Sequence, residues 1–250
     1  MNVVRKLFDS NIALSSRFDA RLPEVFRTDG NTDFLNRFAP PFISPRSRLV
    51  DVGGGKQPYL DARTKSALAV HVTGIDISQE ELDRAPAGTY DATICADISI
   101  YRGAKNADVI VCQAVLEHVP DVAGAFAAFA SILRPGGVAL IFLPSRNAVY
   151  ARLNLLLPEA LKRRILFYIF PQARAAQGFM SYYDRCTPRD FQVLAESHGF
   201  RVEAMQLYYA SSYFSFLTPL HIAWRLWVFL FRALDELRAA ETFAMALRKV

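Results

Sequence analysis

Short apolar runs alternate with longer stretches of mixed polarity between about residue 48 and residue 143. The apolar runs are nearly continuous, as in strands that are buried on both faces, and the stretches between them are compatible with helices. Alternation of this kind is typical of a parallel sheet covered by helices. We therefore predict strands at 48–52, 71–75, 90–95, 108–113 and 137–143, and helices within 57–69, 78–85 and 121–134.

Signals for helix boundaries stand on both sides of the fifth strand. Asp121 can cap the helix before it, and Pro135-Gly136-Gly137 predict where that helix stops. Later in the chain, Thr187 and Pro188 suit the N-cap and the first position of another helix. That helix closes at Gly199, and two further strands are predicted at 200–210 and 241–250.

Two segments are too long to be ordinary connections between these elements. Residues 147–186 and 210–240 exceed the usual loop length, so we expect insertions with structure of their own. Both leave the sheet at the edge where the parallel strands end, and open α/β sheets bind ligands there. The expected organisation is one domain over 1–250, with an N-terminal helical segment at 1–47 and the two insertions as a helical cap.

The composition is that of a globular protein. Hydrophobic residues make up 52% of the chain and charged residues 21%, which excludes a disordered protein. Three cysteines without metal-ligand spacing, and charges where the apolar part of a secretion signal would run, favour a cytoplasmic protein. The net charge of +5 arises within 147–189, which contains seven Lys or Arg residues and only two acidic residues. A basic charge confined to one segment indicates a partner that binds at that segment. We therefore do not expect the protein to bind nucleic acid.

A glycine-rich sequence, Asp51-Val52-Gly53-Gly54-Gly55, follows the first strand. Glycines at this place let the backbone turn tightly and approach a ligand closely. The dinucleotide fingerprint G-x-G-x-x-G needs a third glycine, and here the chain continues with Gln57 and Pro58. Asp51 could pair with the ammonium group of a ligand.

Carboxylates also follow the next two strands. Asp76 lies 25 residues after Asp51, which suits one strand-helix-strand step, and its two oxygens could accept both hydroxyls of a ribose. Asp97, after the third strand, could accept from an adenine amino group. Either aspartate could also be only a helix N-cap.

Five sequences in this order resemble the class I S-adenosyl-L-methionine (SAM)-dependent methyltransferases, especially the group that includes ubiquinone-biosynthesis O-methyltransferases. They are DVGGG, GIDIS, CADIS, QAVLEHVPD and LRPGG, and the later TPRDFQVLAESHGFRV resembles the family's sixth strand and the helix before it. The resemblance implies a Rossmann-like, seven-stranded α/β sheet of order 3-2-1-4-5-7-6 with strand 7 antiparallel. It also implies SAM as the cofactor.

Candidate site residues follow from the motifs and the resemblance together. Methyl transfer depends mostly on positioning, and a hydroxyl acceptor additionally benefits from a base, for which His118 is the candidate. Some relatives place an acid three residues before the Glu117-His118 pair and bind a divalent metal with the three; here Ala114 stands there, so we expect no metal. The predicted cofactor-binding residues are Asp51, Gly53, Gly55, Asp76, Ile77, Asp97, Ile98 and Gln113.

The two insertions indicate the kind of acceptor. Segment 208–241 holds nine aromatic residues in 34, and the first insertion carries the basic cluster Lys162-Arg163-Arg164 within apolar sequence. A helix in the second insertion should carry one narrow polar stripe, formed by His221, Arg225, Arg232 and Glu236. We expect a small-molecule, glycan or lipid-linked saccharide acceptor, and peripheral contact with the inner face of a membrane through the cap. Burial of the apolar faces within the cap is the alternative.

Two other functions remain open from sequence alone. A nicotinamide-dependent oxidoreductase would share the glycines, but the missing third glycine and the LEHVPD and LRPGG sequences argue against it. A non-catalytic, methyltransferase-like interaction module is the other, and it would have no need to keep Asp51, Gly53, Gly55 and Asp76.

Overall fold

The computed structural model describes residues 3–158, residue 164 and residues 180–250. Its centre is a seven-stranded sheet of order β3-β2-β1-β4-β5-β7-β6. β7 pairs antiparallel with β5 and β6, while the pairs β1–β2, β1–β4, β2–β3 and β4–β5 are parallel. The predicted fold class, strand order and antiparallel last strand are therefore confirmed. The strands are β1 (Arg48–Val52), β2 (His71–Asp76), β3 (Ala92–Cys95), β4 (Ala107–Gln113), β5 (Leu133–Pro144), β6 (Phe200–Tyr208) and β7 (Thr242–Lys249).

The helices begin where short polar side chains can cap them. Asp121 and Thr187, both predicted as N-caps, accept hydrogen bonds from the backbone of Gly124 and Asp190. The helices of the described residues, in chain order, are α1 (Val3–Asp19), α2 (Gly30–Asp33), α3 (Ala62–Leu68), α4 (Gln79–Asp83), α5 (Val122–Ile132), α6 (Val149–Leu156), α7 (Pro188–Ser197), α8 (Thr218–Leu234) and α9 (Glu236–Ala239).

One predicted boundary is wrong. The helix α5 ends at Ile132, so Pro135-Gly136-Gly137 do not stop it but lie inside β5. The register between β4 and β5 shifts after Leu133, and Gly136 there has a φ of +76°. Arg134 holds this irregular start of the strand, because its Nε donates to Asp108 at 2.6 Å.

Two apolar layers cover the sheet. On one face α5 and α7 meet β7, where Phe126, Phe191 and Phe243 pack edge to face. On the other face the N-terminal part of the chain packs Phe34 against Phe142 of β5, with ring centroids 5.5 Å apart. The site is consequently left at one end of the sheet, where the parallel strands stop.

The polar stripe of α8 faces the inside of the protein. His221 and Arg225 are each 1% exposed, so they do not form the solvent side of the helix. Arg225 donates through Nε and Nη2 to the two carboxylate oxygens of Asp19 at 2.8 and 2.7 Å, and His221 Nε2 lies 2.9 Å from Asp19 Oδ1. The stripe also ends earlier than predicted, because Glu236 belongs to α9.

The first of the two predicted insertions is described only in part. Lys162 and Arg163, with most of the first insertion after α6, lie outside the described residues. Of the helices that are described, none is both long enough and apolar enough to span a membrane.

The contact between α1 and α8 gives a test of stability. Burial raises the pKa of Asp19, but its bonds to His221 and Arg225 outweigh burial, and the net pKa is lowered. Asp19→Ala would leave Arg225 buried without its carboxylate, so we expect the free energy of unfolding in urea to fall by about 3 kcal/mol. Asp9→Ala removes a surface pair with Arg5 on the same helix and should cost less than about 0.5 kcal/mol. Equal losses in the two variants would contradict this prediction.

Candidate cofactor and acceptor site

A cavity of about 430 Å³ opens where β1, β2 and β4 end. Six of the predicted site residues line it, and three do not. The six lining residues are Gly53, Asp76, Ile77, Asp97, Ile98 and His118. The wall also contains Val115, Met180 and Tyr182, none of which was among the predicted site residues.

Gly53 turns the backbone at the floor of the cavity. Its φ is +73°, and a Cβ at this position would stand 2.3 Å from Cγ2 of Val115. Gly55 also has a positive φ, and a Cβ there would come within 3.0 Å of Oδ2 of Asp76. The glycines therefore allow the turn and keep the space beside the Asp76 carboxylate open.

Two carboxylates stand in the cavity wall. Asp76 is 7% exposed, its Oδ1 accepts from the backbone N–H of Ser78 at 2.9 Å, and burial raises its pKa. Asp97 Oδ1 accepts from the N–H and the hydroxyl of Ser99 at 2.8 and 2.7 Å. Each carboxylate is thus fixed by the turn that follows its strand, and both can accept hydrogen bonds from a ligand in the cavity.

Asp51 lies beneath the glycine turn and not in the cavity wall. Its Oδ2 accepts from the N–H of Tyr59 at 2.8 Å and from the hydroxyl of Tyr90 at 3.1 Å. Burial raises the pKa of Asp51 to about 6. A Cβ on Gly54 would come within 2.4 Å of the same oxygen. The carboxylate therefore supports the loop from behind.

Tyr90 supports the site through Asp51 and was not among the predicted site residues. The signal that could have found it is Gly74, a glycine in the middle of β2. The ring of Tyr90 lies against this glycine, where an added Cβ would stand 2.9 Å from the ring. The close approach carries the Tyr90 hydroxyl to Asp51.

Gln113, at the end of β4, also stands outside the wall of the cavity. Its Nε2 donates to Oδ1 of Asn31 at 2.6 Å. Asn31 belongs to α2, so this bond ties the N-terminal part of the chain to the tip of the strand.

His118 is held in one orientation by the main chain. Its Nδ1 lies 3.1 Å from the carbonyl oxygen of Met180 and 3.3 Å from Oγ of Ser181. A carbonyl oxygen can only accept, so Nδ1 carries a proton, and in the neutral ring the lone pair is on Nε2. The side chain is about a quarter exposed and lines the cavity, which leaves it able to accept a proton from a ligand.

Glu117, next to His118, is a buried carboxyl group. It is 5% exposed, and burial raises its pKa to about 8. Its Oε1 lies 3.9 Å from Nε2 of His118, and its Oε2 has no hydrogen-bond partner among the described residues. Its own carbonyl accepts from the N–H groups of Tyr182 and Tyr183, which draws residues 180–183 over the site.

Tyrosines from the two cap segments pack beside this carboxyl group. Tyr150 of α6 stacks on Tyr213, which follows β6, with ring centroids 4.2 Å apart. Burial and the neighbouring Glu117 raise the pKa of Tyr213, so its phenol stays protonated. Tyr150 donates its hydroxyl to the carbonyl of Glu241 at 3.2 Å. The two segments thus form an aromatic wall beside Glu117.

Within the part of the chain that the structure describes, no three His, Cys, Asp or Glu side chains stand close enough together to hold a metal ion. Ala114, at the position where some relatives have an acid, has a φ of +54°. The expectation of no metal stays a prediction.

Comparisons with known proteins agree on one family. A family model described as a methyltransferase domain matches residues 23–205. The chain is 25% identical over 215 residues to a ubiquinone biosynthesis O-methyltransferase of Aeromonas salmonicida, covering 79% of this chain and 85% of that protein. A protein of the same name from Aromatoleum aromaticum is 32% identical over 107 residues, and there the match spans only 45% of the relative.

Solved structures show the same fold. The S-adenosylmethionine-dependent methyltransferase of Mesorhizobium loti superposes with a TM-score of 0.57. The sequence identity is 18%, and the alignment covers 89% of this chain and 99% of that one.

The raised pKa of Glu117 predicts how stability depends on pH. In the unfolded chain this group releases its proton at an ordinary pKa, whereas the folded chain keeps the proton up to about pH 8. Stability from this group is therefore full below the pKa of the unfolded chain, falls as the pH rises between the two pKa values, and is lost once the pH has risen through about 8. Glu117→Gln, which needs no proton, should gain on the order of 2–4 kcal/mol relative to wild type between pH 4 and pH 9.

Urea unfolding at a series of pH values measures this difference. Glu203→Gln is the control, because Arg248 lowers the pKa of Glu203 and its contribution has the opposite sign. A wild type and a Glu117→Gln variant with parallel pH profiles would show that Glu117 ionises normally.

Proposed function

The chain belongs to the methyltransferase-domain family and is a SAM-dependent methyltransferase, and we propose that it methylates a hydroxyl oxygen of a small molecule. The observation that carries the proposal is His118, which lines the cavity and whose Nδ1 lies at the Met180 carbonyl, so that the neutral ring has its lone pair on Nε2. The name of the Aeromonas relative, an O-methyltransferase, supports oxygen as the acceptor atom. The sequence alone left two other functions open, a nicotinamide-dependent oxidoreductase and a non-catalytic module. Membership of the methyltransferase-domain family argues against both.

We propose that the cofactor lies in the cavity between the Gly53 turn and the two carboxylates. Asp76 would accept from the ribose hydroxyls and Asp97 from the adenine amino group, with Ile77 and Ile98 against the base. The bound cofactor supplies an activated methyl group on a sulfonium. Three of the predicted residues support the site in this proposal. Asp51 holds the glycine turn, Gly55 leaves room for the Asp76 carboxylate, and Gln113 ties β4 to α2.

The proposed chemistry of the chain itself is proton removal. A hydroxyl that becomes a methyl ether loses its proton, and Nε2 of His118 would accept it. The Met180 carbonyl holds the ring through Nδ1 while this happens, so the base does not need to reorient. Glu117, whose Oε1 lies 3.9 Å from Nε2, would stabilise the charged ring whenever it is itself ionised.

We propose an acceptor with a sizeable apolar part, of which a lipid-linked saccharide is one example. Support comes from Met180 and Tyr182 at the cavity and from Tyr213 in the aromatic wall, each about half exposed. Peripheral contact with a membrane through the cap would bring such an acceptor to the site.

Removal of the Asp76 carboxylate tests the cofactor site. Asp76→Ala should weaken SAM binding by roughly 1–3 kcal/mol, because charge-assisted hydrogen bonds to a ribose are lost. Asp83→Ala, at the exposed end of the neighbouring helix α4, is the matched control and should leave the affinity unchanged. Calorimetric titration with SAM gives both affinities, and an unchanged affinity in Asp76→Ala would remove Asp76 from the proposed role.

Removal of the His118 ring tests the base. His118→Ala should lower turnover on the order of 10²–10⁴-fold while SAM affinity stays nearly intact. The assay uses SAM with a labelled methyl group and catechol as the probe acceptor, and counts label extracted into an organic solvent. Ser181→Ala, which removes only a neighbouring hydroxyl, should keep most of the turnover. Turnover with aniline but not with catechol would contradict the proposal that oxygen is the acceptor atom. Full activity of His118→Ala would contradict the proposal that His118 is the base.

A further inference from the structure

The glycine turn after β1 presses against the first turn of helix α4. A Cβ on Gly55 would stand 3.0 Å from Oδ2 of Asp76 and 3.0 Å from Cβ of Glu81. Such distances are shorter than ordinary van der Waals contacts, so the backbone of Gly55 already fills the space between these two side chains. The turn is therefore packed on α4 at the carboxylate that we assign to the ribose.

An ion pair spans the same contact. Lys56, the residue after Gly55, places its Nζ 3.1 Å from each carboxylate oxygen of Glu81. The Glu81 side chain is 23% exposed, so this end of the pair is partly sheltered from water. The backbone N–H of Glu81 donates to the capping hydroxyl of Ser78 at 3.3 Å, which fixes Glu81 to the start of α4. The pair thus joins the turn after β1 to the helix after β2.

Glu81 lies close enough to Asp76 to affect its ionisation. Burial raises the pKa of Asp76, and the negative charge of Glu81 raises it further. The same first turn of α4 also holds Asp76, because the backbone N–H of its N-cap residue Ser78 donates to Asp76 Oδ1 at 2.9 Å. The glycine turn, the Asp76 carboxylate and the start of α4 consequently form one unit around the place proposed for the ribose.

The two charged residues stand behind the cavity wall. Gly53 and Asp76 line the cavity, whereas Lys56 and Glu81 are not among the described residues that line it. An effect of the pair on a bound cofactor must therefore act through the position of the glycine turn relative to Asp76. A ligand that contacts two elements binds more tightly when the protein already holds them at the right separation, because less conformational freedom is lost on binding.

We propose that the ion pair between Lys56 and Glu81 is a clamp that holds the glycine turn against Asp76 in the arrangement that SAM requires, so that both are positioning residues for the cofactor. The inference rests on the proposed place of the cofactor. Without the pair the turn can leave α4, and the observed affinity falls with the fraction of molecules in which the contact is intact. Since that loss cannot exceed the free energy of a partly exposed ion pair, we expect roughly a three- to fivefold change.

Calorimetric titration of Lys56→Met separates the clamp from a direct effect of charge. SAM carries a net positive charge, so loss of a nearby lysine would by itself strengthen SAM binding, whereas loss of the clamp weakens it. The dissociation constant should rise roughly three- to fivefold for SAM, and by the same factor for S-adenosylhomocysteine, which lacks the sulfonium charge. Arg84→Met is the matched control, because Arg84 lies 3.6 Å from the same carboxylate but belongs to the end of α4. It should leave both affinities unchanged.

Three further measurements distinguish a positioning role from a general loss of structure. With catechol as the acceptor, KM for SAM should rise in Lys56→Met while kcat at saturating SAM stays as in wild type, because bound cofactor restores the contact. Lys56→Arg, which keeps the charge, should retain the wild-type affinity. In a Glu81→Gln background Lys56 has lost its partner, so Lys56→Met should there have no further effect on SAM affinity.

Several results would overturn the clamp. They are unchanged or tighter SAM binding in Lys56→Met, an equal loss in Arg84→Met, a loss for SAM but not for S-adenosylhomocysteine, or a full further loss when Lys56→Met is added to Glu81→Gln. Calorimetry needs no acceptor, so failure of this inference can be told from failure of the proposed function. If Asp76→Ala weakens SAM binding and Lys56→Met does not, only the clamp is wrong; if Asp76→Ala also has no effect, the proposed place of the cofactor is wrong and the clamp fails with it.

Discussion

The reversal of β7 determines where everything outside the sheet must go. β7 lies between β5 and β6 and pairs antiparallel with both, and residues Phe243 to Leu247 have no exposed surface. An antiparallel strand must be entered from the end at which its parallel neighbours stop. The segment between β6 and β7, which contains α8, is consequently carried to the same edge as the cofactor cavity. The segment that leaves β5 begins at that edge as well, so the acceptor side of the site is built from two distant parts of the chain.

Much of the sheet could be predicted because its strands are buried on both faces. Such strands are continuous apolar runs, and the ends of β1, β4 and β7 lie within a residue or two of the prediction. The capping residues could also be predicted, because Asp121 and Thr187 accept hydrogen bonds from backbone N–H groups only three residues away. β5 was predicted to begin four residues too late, because Leu133 already has an extended backbone and the glycines after it form an irregular part of the strand.

Contacts between residues far apart in the chain could not be predicted from the sequence. The pattern of α8 defines a polar stripe but not the side it faces, and that side is decided by Asp19, about 200 residues earlier. The same limit applies to Asp51. Its place beside the glycines predicts a role at the cofactor, which stays a prediction, whereas its bonds to the backbone of Tyr59 and the hydroxyl of Tyr90 are visible only in the structure. The buried state of Glu117 likewise depends on residues 180–183 folding over it, which no local pattern reveals.

The contact that orients His118 has a consequence for how such a site can diversify. Its partner is the carbonyl of Met180, while the Met180 side chain lines the cavity. Every amino acid supplies the same carbonyl, so residue 180 can change its size or polarity without altering which ring nitrogen carries the proton. Selection for a different acceptor can therefore act at this position while the proton-accepting group stays as it is. The main chain conserves the reactivity, and the side chain attached to it is free to vary with the substrate.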